Sequence, residues 1–205
     1  LKTELSLKDW AGEQPKIEKE TKKMKEDEFG RVPYRALSKV SKPVGMIPKR
    51  LEESIHNALL ELQRKYGDVD RLISKAMGIS KKDLGNYISA EQVDAVALFM
   101  DAFSRKQDAI LADETGFGKG RVLASLVKIG LRKGKTVLFL TENSQLFSDF
   151  YRDLTDVYGE EDIKDIVPTM LHGNAKIINQ KSELIAKMTR ASKAYNEMLE
   201  KKSFD

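Results

Sequence analysis

The stretch "LADETGFGKGRVLASLV", residues 111–127, constrains this chain more than any other. An apolar run enters it, glycines stand at 116, 118 and 120, Lys119 sits between the last two, and an apolar pattern of helical period leaves it. A strand, a glycine bend and a helix in that order aim the helix N-terminus at the bend. Backbone N–H groups of Thr115 to Gly120 then converge on a β-phosphate, the helix dipole favours its charge, and Lys119 reaches the β- and γ-phosphates. The signature of such a loop is Gly, four residues, then Gly-Lys-Ser/Thr. Here Asp113 takes the first place, and Gly120 stands where a hydroxyl would hold magnesium. The competing reading is a glycine-rich turn that merely closes tightly. The lysine directly after a glycine at the helix start favours the phosphate.

The 205 residues are 40% hydrophobic and 33% charged, which suits one medium core with appended pieces and is short for two full domains. No apolar run approaches the roughly 20 residues of a membrane span, so no membrane partner is expected. With no cysteine there are no disulfides or thiolate metal sites, which suits a reducing cytoplasm. His56 and His172 stand apart from each other and from ligand clusters, so no metal centre held by the protein is expected. A net charge of +4 permits nucleic-acid binding without requiring it. The chain starts at Leu1, not Met, and is expected to be an excerpt of something longer.

Four segments follow from patterning. Residues 1–50 mix both charges with Pro15, Pro33, Pro43 and Pro48 and are expected to be extended or flexible. Residues 51–86 form a small helical lead-in: Leu51, Ile55, Ala58, Leu62 and Tyr66 recur at helical spacing up to Gly67, and a second helix runs from an Asp68 cap to Gly78. Residues 87–174 alternate helix and strand, with "SAEQVDAVALFMDAFSR" a buried helix, "AILAD", "KTVLFLT" and "DIVPTML" strands, and "GRVLASLVKIGLRKG" and "SQLFSDFYRDLTDVYG" helices. That alternation predicts an α/β fold with a parallel sheet. Residues 175–205, with Ile177, Ile178, Leu184 and Ile185 among many charges, are expected to be one or two charged surface helices forming an insertion or arm.

Two further groups carry candidate chemistry. Ser89-Ala90-Glu91-Gln92 fits a helix capping box, in which Gln92 reaches back to the serine. Gln92 also stands one helix and one strand before the phosphate loop, with Tyr87 just upstream, where its amide can donate to and accept from an adenine edge. Arg31, Arg35, Lys39, Lys42, Lys49 and Arg50, interleaved with Tyr34, read either as a strand-binding groove or as a solvated linker.

These residues carry a family resemblance. Asp113-Glu114-Thr115-Gly116-Phe117-Gly118-Lys119 resembles motif I of superfamily-two helicases, close to the Swi/Snf form, and Gly118-Lys119-Gly120-Arg121 is similar to the strawberry notch family, which also has glycine and arginine after the lysine. "YISAEQVDAVALFMDAF" resembles that family's upstream glutamine motif, "TVLFLTENSQLFSDFYRDL" its motif Ia, and "KYGDVDRLISKAMGISKKDLGNY" the lead-in of its phage and plasmid members. The resemblance covers roughly residues 31 to 175.

The resemblance implies the first half of a RecA-like P-loop lobe, in an ATP-dependent motor that uses ATP and Mg2+. Lys119 is then the catalytic lysine. Tyr87, Gln92, Thr115, Gly116, Phe117, Gly118, Lys119, Gly120 and Arg121 are nucleotide contacts. Thr141, Asn143, Ser144 and Gln145 meet DNA phosphates, although a capped turn explains the same letters. No acidic magnesium motif follows residue 160, so the excerpt is expected to bind ATP without hydrolysing it. The implied partners are single- or double-stranded DNA, a second RecA-like lobe and, in phage anti-restriction relatives, a methyltransferase and virion proteins. The implied location is the host cytoplasm or the virion. The rival expectation is a non-catalytic or virion-internal scaffold that keeps a P-loop-like fold.

Overall fold

A computed structural model of the chain describes residues 27–112, 118–166, 168, 176–178 and 184–187. The chain folds as two compact units, Leu1–Val122 and Leu123–Asp205.

In the first unit, β1 (Arg31–Pro33) and β2 (Met46–Pro48) pair antiparallel, with Val32 opposite Ile47. Helices α1 (Lys49–Tyr66), α2 (Val69–Met77), α3 (Leu84–Tyr87) and α4 (Ala90–Ser104) follow. The expected lead-in helices are present, with local causes that the sequence spells out. Asp68 accepts a hydrogen bond from the Arg71 N–H at 3.1 Å and so caps α2. Gly78, at φ 73°, closes it: its N–H goes to Lys75 O and that of Ile79 to Ser74 O, satisfying carbonyls the helix cannot. α1, α2 and α4 pack on one another. Leu59, Leu62, Leu72, Ile73, Met77, Leu84, Val93 and Val96 form the buried core. Burying such a side chain contributes about 1.5–3 kcal/mol each. Tyr66 enters the same core and donates its hydroxyl to Asp101 Oδ1 at 2.6 Å.

Residues 34–45, part of the segment expected to be extended or flexible, are docked on α4. Buried Asp94 accepts from the N–H groups of Leu37 (2.7 Å) and Ser38 (2.9 Å) and from the Tyr34 hydroxyl (3.0 Å). Asp70 of α2, also buried, accepts from the Ser38 hydroxyl and from Lys39 N–H at 3.1 Å. Ser41 Oγ accepts from Ala90 N–H at 3.0 Å, and Glu91 Oε1 from Val44 and Gly45 N–H at 2.6 and 3.0 Å. Proline and charge content suggested a linker, but most of the donors here are main-chain groups, which composition does not register. Residues 1–26 of that segment lie outside the described residues.

α5 (Lys119–Arg132) begins in the first unit and continues into the second. The second unit holds the rest of α5, α6 (Gln145–Tyr158), a single 3₁₀ turn (Asp162–Asp165), and strands β3 (Lys176–Ile178) and β4 (Leu184–Lys187). Phe139 stacks on Phe150 with centroids 4.2 Å apart. The Lys128 ammonium donates to Val157 O at 2.9 Å and lies over the Tyr158 ring, placing a cation at the C-terminal turn of α6.

The described residues do not show the expected parallel sheet or helical arm. The described residues contain two two-stranded antiparallel sheets and no parallel pairing. Residues 109–112 of "AILAD" and all of "KTVLFLT" are not strands, and Ile110, Leu138 and Leu140 are 91, 70 and 79% exposed. A strand exists only through a neighbour that takes its N–H and C=O groups, and apolar patterning alone does not supply one. Of "DIVPTML", Asp165 ends the 3₁₀ turn, while Val167 and residues 169–171 lie outside the described residues. The arm expected to be helical is, over its described part, the antiparallel pair β3 and β4, with Ile177 opposite Ala186 and an irregularity between Ile177 and Ile178. Ile177 is buried while Lys176 and Ile178 face out, a period of two that suits β-branched residues. Residues 188–205 lie outside the described residues. No helix among the described residues is long and apolar enough to cross a membrane.

Candidate nucleotide site

The site is built from the start of α4 and the start of α5. Ser89 is extended, with ψ 170°, and its hydroxyl accepts from Gln92 N–H at 3.4 Å. Gln92 Oε1 in turn accepts from Ser89 N–H at 2.9 Å, completing the expected capping box. That bond fixes the amide, and its other end, Nε2, donates to Gly118 O at 3.1 Å. Gln92 therefore joins the helix start to the last residue before Lys119.

Gly118 has φ 72°, a left-handed conformation that side chains strain, and a Cβ there would lie 2.4 Å from Gln92 Nε2. Its carbonyl also accepts from Arg121 N–H at 3.0 Å, closing the first turn of α5. The Arg121 guanidinium reaches back to Tyr87 O at 3.4 Å. The structure thus brings Tyr87, Gln92, Gly118 and Arg121 together, with Lys119 and Gly120 opening the helix. Thr115, Gly116 and Phe117 lie outside the described residues, as do Asp113 and Glu114.

Thr141, Asn143, Ser144 and Gln145 belong to the second unit, at the turn entering α6. Asn143 Oδ1 accepts from Gln145 N–H at 2.9 Å, so Asn143 closes the turn, while the Ser144 side chain makes no cap bond. Asn143 and Gln145 are exposed. In the basic run, Arg31 pairs with Asp27 at 2.9 Å, Arg35 pairs with Glu52, and Tyr34 is held by Asp94. Those partners give Arg31, Arg35 and Tyr34 internal roles, while Lys39, Lys42, Lys49 and Arg50 are exposed.

The carboxylates that flank Gln92 escaped the sequence reading. Asp94 was legible as a lone charge in the apolar run "VDAVALFM", but its partners lie 56 and 57 residues away. Burial pushes its carboxyl up to about 6; the N–H groups of Leu37 and Ser38 and the Tyr34 hydroxyl oppose the rise, and nearby Asp70 adds to it. At Glu91 burial acts in the same direction, but backbone donors including Gly45 and Val44 outweigh it and hold the carboxyl below its ordinary range. Among the described residues no cluster of three or more acidic or histidine side chains could hold a metal ion.

In comparison with family models, the model described as P-loop containing NTP hydrolase pore-1 matches residues 50–197. No curated protein and no solved structure matches the chain.

Proposed function

The chain belongs to the P-loop containing NTP hydrolase pore-1 family, and from that premise we propose that it is the ATP-binding part of an ATP-dependent DNA helicase or translocase of the strawberry notch type, carried in a larger phage or plasmid polypeptide. The observation that carries the reading is the Gln92 Nε2 to Gly118 O hydrogen bond, which ties the upstream glutamine to the phosphate loop. Nucleotide phosphates sit at the N-terminus of α5, where the helix dipole favours anions. The residues fit such a ligand. Gly118 and Gly120 place no side chain over the helix start, and Lys119 supplies a cation between them.

Adenine lies toward Tyr87 and Gln92. Because both ends of the Gln92 amide are engaged, the base meets the remaining lone pair and N–H of that amide. Magnesium, when bound, neutralises phosphate charge and orients the reacting groups. Gly120 offers it no side-chain oxygen, so phosphates and water would hold it, with the Thr115 hydroxyl five residues upstream. A DNA strand meets the Thr141–Gln145 turn through amides and hydroxyls. Titration of ATP, ADP and GTP, followed by mobility shifts with single- and double-stranded DNA, tests the reading. Binding of ATP in preference to GTP, and retention of DNA reduced by Asn143→Ala, are the expected results. A chain that binds DNA but neither adenine nucleotide would overturn it.

A further inference from the structure

At about 100° per residue, Glu91 and Asp94 stand about 60° apart on α4, whereas Gln92 lies about 160° round from Asp94. The first turns of this helix therefore hold two things on different faces. Gln92 holds Gly118. Glu91, Asp94 and the Ala90 N–H hold residues 34–45, which run from Asp94 back to the helix start.

We propose that Tyr34–Gly45 is a strap that positions the phosphate loop, with Glu91 and Asp94 as positioning residues acting through α4 and Gln92. The proposal rests on the nucleotide reading of that loop. Three observations support it. Gln92 Oε1 is fixed by Ser89 N–H, so the place of its Nε2, and hence of Gly118, follows the backbone at the start of α4. Ser41 accepts from Ala90 N–H, one of the four donors a helix start leaves without an internal partner, so the strap completes that same turn. Asp94 is fully buried, and Tyr34, Leu37 and Ser38 of the strap all donate to it, so lifting the strap would strand a buried carboxylate. The strap is held from a second side as well: α3 brings Gly85 against Val40, whose carbonyl would lie 2.9 Å from a Cβ at that glycine.

Coupling of this kind is reciprocal: if the docked strap favours nucleotide, nucleotide must favour the docked strap. The test uses the full 205-residue chain with a fluorescent ADP, and hydrogen exchange of the Tyr34–Gly45 amides with and without ADP. Glu91→Ala removes the acceptor for Val44 and Gly45, Glu91→Gln keeps that oxygen without the charge, and Gly85→Ala sets a Cβ against the Val40 carbonyl of the strap without a substitution in α4. The expected result is ADP binding weakened about fivefold or more by Glu91→Ala and Gly85→Ala, recovery in Glu91→Gln, and slower strap exchange when ADP is bound to the wild type. Where a variant does not fold, the exchange result decides. If the wild type binds no ADP, the nucleotide reading falls and the strap falls with it. If the wild type binds ADP and Lys119→Ala does not, while Glu91→Ala and Gly85→Ala bind normally and strap exchange ignores ADP, the strap alone is overturned.

Discussion

Gln92 Nε2 donates to the Gly118 carbonyl at 3.1 Å, and a Cβ on Gly118 would lie 2.4 Å from that same nitrogen. The glycine is therefore required twice, by its φ of 72° and by the glutamine against it.

Gly118→Ala carries a left-handed strain of about 1–2 kcal/mol and a steric conflict that displaces the Gln92 amide. Removing the amide relieves only the second part. The double variant Gln92→Ala/Gly118→Ala should then cost less than the sum of the two single variants, by roughly 0.5–3 kcal/mol. Urea unfolding of the four proteins measures this, and strict additivity would show that the two residues do not touch.

Gln92→Glu separates the two ends of the side chain. The carboxylate keeps an acceptor for Ser89 N–H, so the capping box survives, but it loses the donor that Gly118 O receives. Helix content should hold and nucleotide binding should fall. Gln92→Ala should lose the cap as well, at about 0.5–2 kcal/mol. Circular dichroism beside competition between ATP and GTP reads both effects. Equal nucleotide binding in wild type and Gln92→Glu would remove the amide from the site.

Asp94 gives unit one an unusual pH dependence. Its folded value of about 6 lies above its ordinary 3.8, so the stabilisation from its protonated form is complete below about pH 3.8 and is lost as pH rises through 6. The difference is on the order of 3 kcal/mol. Protonation is tolerated because the Tyr34 hydroxyl can turn from donor to acceptor. Asp101 and Asp68 have the opposite sense: burial pushes each up, but Lys65 at the first and Lys81 at the second outweigh it, so their contributions are lost only as pH falls below about 4. Denaturant midpoints should therefore rise from pH 7 to pH 5. Asp94→Asn should be less stable than wild type at both values and should lose most of that rise, and a wild type whose midpoint falls between pH 7 and pH 5 would contradict the assignment.

Legibility in the sequence follows the range of the interaction. The helices were legible because their signals are local: Asp68 and Gly78 bound α2, and Ser89 with Gln92 opens α4, each within a few residues. The docking of Leu37 and Ser38 on Asp94 was not, because the donors are backbone groups and no side chain advertises them. "KTVLFLT" has the composition of a buried strand, yet Leu138 and Leu140 remain exposed, since pairing depends on a neighbour and not on the strand's own letters. The link from Gln92 to Gly118 was half legible: the sequence marked both residues, and only the fold joins them.

The most direct measurement is calorimetric titration of ADP into the wild-type chain and into Lys119→Ala. Removing the ammonium at the start of α5 deletes the cation proposed to meet the phosphates and leaves the glycines, the capping box and the Gln92 to Gly118 pair in the sequence. The account predicts that the wild type binds ADP and that the variant, folded to the same helix content, binds it at least about tenfold more weakly, a difference of about 1.4 kcal/mol or more. Equal affinity in the two proteins would contradict it.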